Sequence, residues 1–385
     1  MISRAQTILP RLIEIRRTLH QHPELSFQEH KTAEFIAGIL AGLGLQPRTG
    51  VGKTGVVADM GAGSPVVALR ADMDALPIQE ENDVPYASQN AGVMHACGHD
   101  VHMTSLLGAA MLLKESELRG TVRLIFQPCE EGQDAEGKSG AMRMTDEGVM
   151  DSVDAIFGIH VDDETYSGTV DICPGPIMAA ADAFRITVKG QGGHGAYPHK
   201  GVDSIMLAAE VITALHQIVS RRISPLESGV ISVGSIHGGT KANIIPDQVE
   251  LKGTIRSFKP EVRATLFREV ERACGVARAL GGDCELSIMD GFPATVNHPE
   301  LTLWAQKVGR AMLGDRVTSE QVEMGAEDFS IFAQKAPGCY LRLGIRKEGQ
   351  PIRAIHTSRF DAEEDSLAVG AALFAALALG YLERV

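Results

Sequence analysis

The chain of 385 residues is poor in aromatic side chains and has no excess of basic charge. Aromatic residues make up 5% of it, and 36 Lys and Arg against 49 Asp and Glu give a formal net charge of -13. An acidic chain without basic runs argues against nucleic acid or an anionic membrane as a partner. We therefore expect a small-molecule or peptide partner.

Disulfide, signal-peptide and membrane-span patterns are also missing. Six cysteines scattered over 385 residues are too few for a disulfide framework. The N-terminal segment has amphipathic helical spacing without the apolar core of a signal peptide. The Ala-rich segment 366–382 is short and interrupted by glycines, so it does not predict a membrane span. We expect a cytoplasmic protein.

The length and the pattern of the chain predict two domains. Strand patterns alternate with helical patterns in the first part, which predicts an α/β fold with a mostly parallel sheet and helices on both faces. Between 182 and 291 the order changes to βαββαβ, the ferredoxin-like plan, which predicts an inserted domain. Helices near 298–313, 325–335 and from 363 then return to the first style. The first domain is therefore predicted to be discontinuous, with residues 1–181 and 292–385.

The segment 95–102, HACGHDVH, contains three histidines, a cysteine and an aspartate. Imidazole and thiolate groups bind zinc, manganese or cobalt, and a carboxylate can orient a histidine. A lone His or Cys is more often a core or loop residue. The density of this cluster nevertheless favours a metal site.

Acidic residues and a histidine also follow three strand patterns. Asp72 and Asp74 follow 65–71, Glu130 and Glu131 follow 120–127, and His160 ends 154–160. Ligands gather beyond the carboxyl ends of parallel strands, so we expect these side chains to meet at one rim. A Glu-Glu pair is also common on solvated surfaces. In the functional interpretation, Glu131 binds metal and Glu130 accepts a proton from water.

Eight motifs occur in the order seen in the M20 family of metallopeptidases. They are ALRADMDALPI (68–78), MHACGHDVHM (94–103), FQPCEEG (126–132), GIHV (158–161), GGHGAYPH (192–199), NIIP (243–246), GAEDFS (325–330) and His356-Thr357. The chain resembles in particular the amidohydrolase branch, which includes hippurate hydrolases, aminoacylases and indole-acetyl-amino-acid hydrolases. The resemblance spans nearly the whole chain and implies a zinc-peptidase-like fold with an inserted lid and dimerisation domain.

The resemblance implies a site for two divalent metal ions, either manganese, zinc, cobalt or nickel. The implied ligands are Cys97, His99, Glu131, His160 and His356. Cys97 is the donor expected to be shared, and Glu130 matches the general base. Three aspartates are expected to contact the ligands without binding metal themselves: Asp72, Asp74 and Asp100. His95 and His102 are expected to pack, cap a helix or support a ligand rather than bind metal, and His20 and His22 are expected to be structural.

The inserted domain contributes two further candidates. The resemblance implies that His194, in a glycine-rich loop, donates a hydrogen bond to an oxyanion. It would act in its own subunit or in the partner of a homodimer formed through this domain. Asn243 resembles a contact to the substrate carboxylate or oxyanion, although an Asn that ends a strand before Pro246 is an adequate alternative.

Two features of this chain differ from the residue pattern common in the branch. Cys129 stands directly before the base, and we expect it to be buried. The acidic segment 162–164 follows His160, and it either selects a cationic substrate or faces solvent.

The resulting hypothesis is an enzyme that hydrolyses the amide bond of N-acyl amino acids of the N-acetyl, N-benzoyl or indole-acetyl type. A metal-activated water, with Glu130 as general base, would release a carboxylic acid and a free amino acid. Deacetylation of an N-acetylated biosynthetic intermediate and dipeptide hydrolysis are alternatives. A cysteine hydrolase using Cys97 leaves the other ligands unexplained, and a non-enzymatic metal- or metabolite-binding protein leaves Glu130 without a role.

Overall fold

The computed structural model describes residues 1–320 and 322–384. They form two compact units, of which the second consists of residues 176–295 and 322–327 and the first of all the others. The predicted segment 292–385 includes Gln321 and Val385, which lie outside the described residues. The predicted boundaries after 181 and 291, and the lid and dimerisation role of the insert, stay predictions.

The helices and strands follow one another in three stretches of the chain. The first stretch contains α1 Ile2–Gln21, α2 His30–Gly42, β1 Arg48–Val51, β2 Gly55–Gly61, β3 Val66–Asp72, α3 His99–Leu113, β4 Thr121–Gln127, α4 Gly140–Asp146, β5 Ala155–Tyr166 and β6 Val170–Asp171. The second contains β7 Gly175–Met178, β8 Ala180–Lys189, β9 Gly193–His194, α5 Ser204–Arg222, β10 Gly229–Gly238, β11 Ile244–Ile245, β12 Gln248–Ser257, α6 Pro260–Ala279 and β13 Asp283–Phe292. The third contains β14 Thr295–Asn297, α7 Pro299–Leu313, β15 Val317–Thr318, α8 Phe329–Ala333, β16 Gly338–Arg346 and α9 Ser366–Arg384.

The first unit is built on an eight-stranded sheet in the order β1-β2-β4-β3-β5-β16-β6-β15. The four central strands, β4, β3, β5 and β16, are parallel to one another. Strand β2 is antiparallel to β1 and β4, and β6 is antiparallel to β16. The prediction of an α/β fold with a mostly parallel sheet is thus confirmed.

Alternation along the central strands separates apolar from polar side chains. In β3, Val67 and Leu69 belong to the same buried apolar cluster as α1, α3 and α9. The alternate residue Arg70 lies on the other face, where it binds Asp328, the residue that precedes α8. Asp328 also accepts a hydrogen bond from the backbone of Ala141 in α4. Helices therefore cover both faces, and the polar face leads to the candidate site.

Helix α9 is long and apolar enough to cross a membrane by length and composition alone. In this fold 72% of its most apolar window is buried, within the cluster that also contains α1 and α3 residues. The glycines of this segment therefore do not shorten its apolar stretch below the length of a span. Its position in the core accounts for the composition of the helix.

The second unit has a four-stranded antiparallel sheet in the order β10-β12-β8-β13. Helices α5 and α6 share one buried apolar cluster with these strands. The sequence of β8, α5, β10, β12, α6 and β13 is the predicted βαββαβ order.

Two predicted elements differ in length from the observed ones. The helix predicted over 325–335 is the single turn α8, Phe329–Ala333. Strand β5 continues past His160 to Tyr166 because β16 pairs with it along that stretch. On its other side, β3 pairs with β5 only as far as Gly158. His160 therefore lies inside a strand, but beyond the end of one neighbour.

Candidate metal centre

The densest part of the site is the turn that leads into α3. Gly98 has φ of 80°, and a Cβ built on it would lie 2.6 Å from Cγ2 of Val161. Glycine fits this left-handed position without a clash. The turn places buried Cys97 before the helix and His99 at its first residue.

The structure brings all five predicted ligands together. Nε2 of His160 lies 3.4 Å from Sγ of Cys97, and Nε2 of His356 lies 3.3 Å from the same sulfur. Oε1 of Glu131 is 3.0 Å from Nε2 of His356. The donor atoms of Cys97, His99 and His160 lie within 4.8 Å of one another, and so do those of Cys97, Glu131 and His356. Cys97 belongs to both groups.

The donor atoms fit bound metal ions. Nε2 of His99 is buried and makes no hydrogen bond of normal geometry with the described residues. Buried polar atoms without partners are uncommon in native proteins, and an ion would satisfy this nitrogen. Imidazole, thiolate and carboxylate together suit zinc, manganese and cobalt. Two ions sharing Cys97 would use every predicted ligand.

The electrostatics of the cluster favour positive charge. Hydrogen bonds to Cys97 and Glu131 raise the pKa of His356 to about 10. Burial acts to lower the pKa of His99, but Asp72 and Asp74 raise it well above its usual value. Burial raises the pKa of the Cys97 thiol. Acidic neighbours thus attract a cation to this site.

Asp74 contacts both the acidic pair and one histidine. Its carboxylate accepts hydrogen bonds from the backbone N–H groups of Glu130 and Glu131, each at 3.0 Å, and from the Ser26 hydroxyl at 2.7 Å. Its backbone carbonyl oxygen lies 2.7 Å from Nδ1 of His99. If Nδ1 donates this hydrogen bond, Nε2 of His99 is left to face the other ligands.

The candidate base Glu130 borders the cluster. Its Oε2 lies 4.0 Å from Nε2 of His99, and its side chain is 10% exposed. The preceding residue, Cys129, has φ of 46° and is fully buried. Burial raises the pKa of the Cys129 thiol to about 12, which fits the expected packing role.

Asp100 differs from its predicted role. Its Oδ2 accepts hydrogen bonds at 2.8 Å from Nε of Arg16 and lies 2.8 Å from Nδ1 of His20, both on α1. Successive residues on a helix point about 100° apart, so His99 and Asp100 face different neighbours. Asp100 therefore anchors α3 to α1, and His20 is structural, as expected.

Neither of the other two histidines of segment 95–102 belongs to a donor group that contains Cys97. Both ring nitrogens of His95 are buried without a hydrogen-bond partner among the described residues. Burial lowers the pKa of His95 to about 4, so the ring packs as a neutral group. Nδ1 of His102 lies 2.6 Å from Oδ1 of Asp72.

His194 and Asn243 lie together in the second unit. His194 in β9 pairs with Ile244 in β11, and the N–H of Gly195 donates to the carbonyl oxygen of Asn243 at 2.9 Å. Both residues are exposed. Nδ1 of His194 accepts a hydrogen bond from the Ala196 N–H at 3.1 Å. The proton of the neutral ring is therefore assigned to Nε2, which is a hydrogen-bond donor.

The acidic segment after His160 is largely used within the fold. Asp162 accepts hydrogen bonds from the backbone N–H groups of Glu164 and Thr165. Oδ2 of Asp163 accepts the N–H of Ile355 at 2.9 Å, next to His356. Two of the three carboxylates thus serve backbone groups, which argues against an open acidic rim.

A buried polar group that includes Arg70, Gln127 and Asp328 was not predicted from the sequence. Nε of Arg70 donates to Oε1 of Gln127 at 2.7 Å, and Nη2 donates to Oδ1 of Asp328 at 3.1 Å. A charged residue in the middle of an otherwise apolar strand was the available signal for Arg70. Asp328 lies in the GAEDFS motif, to which no chemical role had been assigned.

Comparisons with known proteins agree with this architecture. The sequence profile of peptidase family M20/M25/M40 matches residues 68–380. Thermostable carboxypeptidase 2 of Saccharolobus solfataricus is 45% identical over 384 residues, with 97% of this chain and 96% of that protein covered. N-acetylcysteine deacetylase of Bacillus subtilis is 39% identical over 384 residues, with 97% and 98% covered.

A solved structure is also similar over its whole length. The crystal structure of the Bacillus subtilis YXEP protein, described as a dinuclear metal-binding peptidase of the M20 family, superposes with a TM-score of 0.86. It is 36% identical, with 99% of this chain and 100% of that chain covered. This chain belongs to peptidase family M20/M25/M40 and is a metal-dependent hydrolase of amide bonds with a site for two divalent ions.

Proposed function

We propose that the chain hydrolyses the amide bond between an acyl group and the nitrogen of an amino acid, releasing a carboxylic acid and a free amino acid. The observation that carries this proposal is the convergence of His160, His356 and Glu131 on Cys97, with Glu130 at the border of the cluster. The similarity to a carboxypeptidase and to an N-acetylcysteine deacetylase supports the same bond type. N-acetyl, N-benzoyl and indole-acetyl amino acids are the proposed substrates.

The proposed mechanism assigns proton transfer to Glu130. When bound, the two ions supply Lewis acidity, which polarises the amide carbonyl and acidifies water. The Glu130 carboxylate accepts the proton of the attacking water and then delivers it to the leaving amine nitrogen. The carboxylate of Asp74 accepts the backbone N–H groups of both Glu130 and Glu131. It thereby fixes the proposed base relative to the neighbouring proposed ligand.

His194 and Asn243 are proposed to bind the substrate. Nε2–H of His194 would donate to the oxyanion that forms when water attacks. The side-chain amide of Asn243 would donate to the substrate carboxylate. The hydrogen bond between Gly195 and the Asn243 carbonyl holds these two segments at a fixed spacing.

A cysteine hydrolase is the mechanistic alternative to be tested. A nucleophilic cysteine needs a thiolate at neutral pH, whereas burial raises the pKa of Cys97. A cysteine mechanism predicts activity that survives chelation and an acyl-enzyme that mass spectrometry can trap. The metal mechanism predicts loss of activity on chelation and no acyl-enzyme.

The direct test uses protein stripped of metal and reloaded separately with manganese, zinc, cobalt or nickel. Each form is incubated with N-acyl amino acids, dipeptides and N-acetylated biosynthetic intermediates, and released amine is measured by mass spectrometry. Metal-restored release from one class names the substrate. Ion binding without release from any class would favour the non-catalytic alternative, a metal- or metabolite-binding protein.

The Glu130→Gln variant tests the proposed base. We expect turnover to fall about 10²- to 10⁴-fold, because the amide cannot accept the proton, while the number of bound ions stays at the wild-type value. Glu131→Gln is the matched neighbour and should lose metal as well as activity. Near-normal turnover of Glu130→Gln would contradict the assignment.

A subunit-mixing experiment tests the proposed homodimer and the place where His194 acts. Glu130→Gln and His194→Ala homodimers are mixed under conditions that exchange subunits. If His194 serves the partner subunit, half of the heterodimer sites are intact and activity returns to about a quarter of wild type. If His194 serves its own subunit, no site is intact and activity stays at the level of the unmixed variants.

A further inference from the structure

Asp72, His99 and His102 form a fully buried group of donor atoms within 4.8 Å of one another. Such a group could hold an ion of its own. Nδ1 of His102 lies 2.6 Å from Oδ1 of Asp72, and Oδ2 of Asp72 accepts a hydrogen bond at 2.6 Å from Nη1 of Arg70. Nε2 of His102 accepts the backbone N–H of Val161 at 2.8 Å. Both nitrogens of the ring and both oxygens of the carboxylate are thus engaged, so this group is not another metal site.

The hydrogen bonds instead lead from Arg70 to the ligand His160. The peptide N–H of Val161 is held by His102, and the carbonyl oxygen of Val161 lies 2.7 Å from Nδ1 of His160. The Nδ1 hydrogen of His160 is therefore directed to that carbonyl, and its Nε2 lies 3.4 Å from Sγ of Cys97. In metal sites, the partner of the second ring nitrogen fixes the tautomer and the direction of a histidine ligand.

The pairing of the strands explains why the backbone N–H of Val161 needs a side-chain acceptor. Strand β3 pairs with β5 only as far as Gly158, so β5 runs past its neighbour at His160 and Val161. A backbone N–H that is buried without a partner is costly. His102, from helix α3, supplies the acceptor beyond the end of β3.

We infer that His102, oriented by Asp72 and Arg70, is a positioning residue that holds the backbone of Val161 through its N–H and thereby directs Nε2 of His160 into the donor group it forms with Cys97 and His99. This inference rests on the proposed two-ion chemistry, but it concerns metal affinity rather than turnover. Removing the His102 hydrogen bonds should lower the metal affinity of the donor group that contains His160 more than that of the group that contains Glu131 and His356.

Three variants compare the loss of the His102 hydrogen bonds, their retention, and a control substitution on the same helix. His102→Leu removes both hydrogen bonds, whereas His102→Gln keeps a side-chain oxygen for the Val161 N–H and an amide N–H for Asp72. Thr104→Val is the control, because this fully buried residue of the same helix has a hydroxyl without a hydrogen-bond partner among the described residues. Asp72→Asn removes the charge that orients His102 at nearly constant volume, and it replaces His102→Leu if that variant does not fold.

The measurements are metal content after dialysis, titration calorimetry with manganese, and the visible spectrum of the cobalt-loaded protein. We expect His102→Leu to bind one ion with wild-type affinity and the other about 10- to 100-fold more weakly, with a changed cobalt spectrum. His102→Gln should restore most of the affinity, and Thr104→Val should match wild type.

The outcomes separate this inference from the proposed function. Wild-type protein that binds two ions, together with a His102→Leu or Asp72→Asn variant of unchanged affinity and spectrum, overturns the positioning role alone. Equal weakening by Thr104→Val would assign the effect to packing and also overturn it. Wild-type protein that binds no divalent ion would overturn both.

Discussion

Replacing Glu29 with glutamine should remove a pH dependence from the stability of the first unit. Glu29 precedes α2 and is fully buried, and its carboxyl group accepts hydrogen bonds from the Thr54 hydroxyl and the Cys129 N–H. Burial, with a further contribution from the negative charge of Asp74, raises the pKa of Glu29 from 4.5 to about 7. The folded state therefore holds this proton more tightly than the unfolded chain.

The sign and size of the effect follow from this difference. The stabilisation from the proton on Glu29 is fully present below pH 4.5 and is lost as the pH rises through 7. Between pH 5 and pH 8 the linkage relation gives a loss of about 2.5 kcal/mol in the free energy of unfolding. Glu29→Gln keeps an acceptor for the Cys129 N–H but cannot ionise, so its stability should not show this loss.

Urea denaturation of metal-free protein at the two pH values measures the difference. The single tryptophan, Trp304, lies in α7 of the first unit, so its fluorescence reports unfolding of the unit that contains Glu29. Glu34→Gln, an exposed change on the same helix, is the control and should follow wild type. Parallel pH profiles of wild type and Glu29→Gln would refute the reasoning.

Three other perturbations have defined outcomes. Gly98→Ala forces a left-handed alanine against Val161 and should lower the free energy of unfolding by about 1–2 kcal/mol through backbone strain alone. Titration with manganese should also show weaker binding. Unchanged affinity would contradict the importance of this turn. Arg16→Met leaves Asp100 buried without its main cation and should destabilise the first unit by about 3–5 kcal/mol. The control Arg11→Met, at an exposed pair, should cost less than about 1 kcal/mol. Urea denaturation measures both changes. Adding manganese to stripped protein at 100 times its Kd should stabilise the folded state by about 2.7 kcal/mol, and an unchanged melting temperature would contradict metal binding by the folded state.

The proximity of several candidate ligands could be predicted because their residue types stand out in the sequence. Cys97 and His99 lie in one short segment, and Glu131 and His160 belong to strand-associated motifs. Their side chains converge in the structure through the parallel order of β3, β4 and β5. The rules for parallel sheets indicate that these strand-end residues meet at one rim, whereas the full ligand set, including His356, was implied by the resemblance to the M20 family.

The supporting residues depend on packing that local sequence does not specify. Arg70 and Asp328 are 258 positions apart, and their contact requires the relative position of β3 and α8. Asp100 turned out to bind Arg16 because the direction of a residue in the first turn of α3 is set by where α1 packs. His102 gained its role because β3 ends before β5 does, and strand ends are the least predictable feature of a sheet.

The alternation of β3 between an apolar face and a face that carries Arg70 and Asp72 restricts how this chain and its relatives can change in length. Inserting or deleting one residue within β3 would turn Arg70 toward the packed apolar cluster and Leu69 toward the polar face, because strand side chains alternate with a period of two. A two-residue change would preserve the faces. Length differences that relatives accumulate in the central strands should therefore be even in number, and odd differences should be confined to the loops.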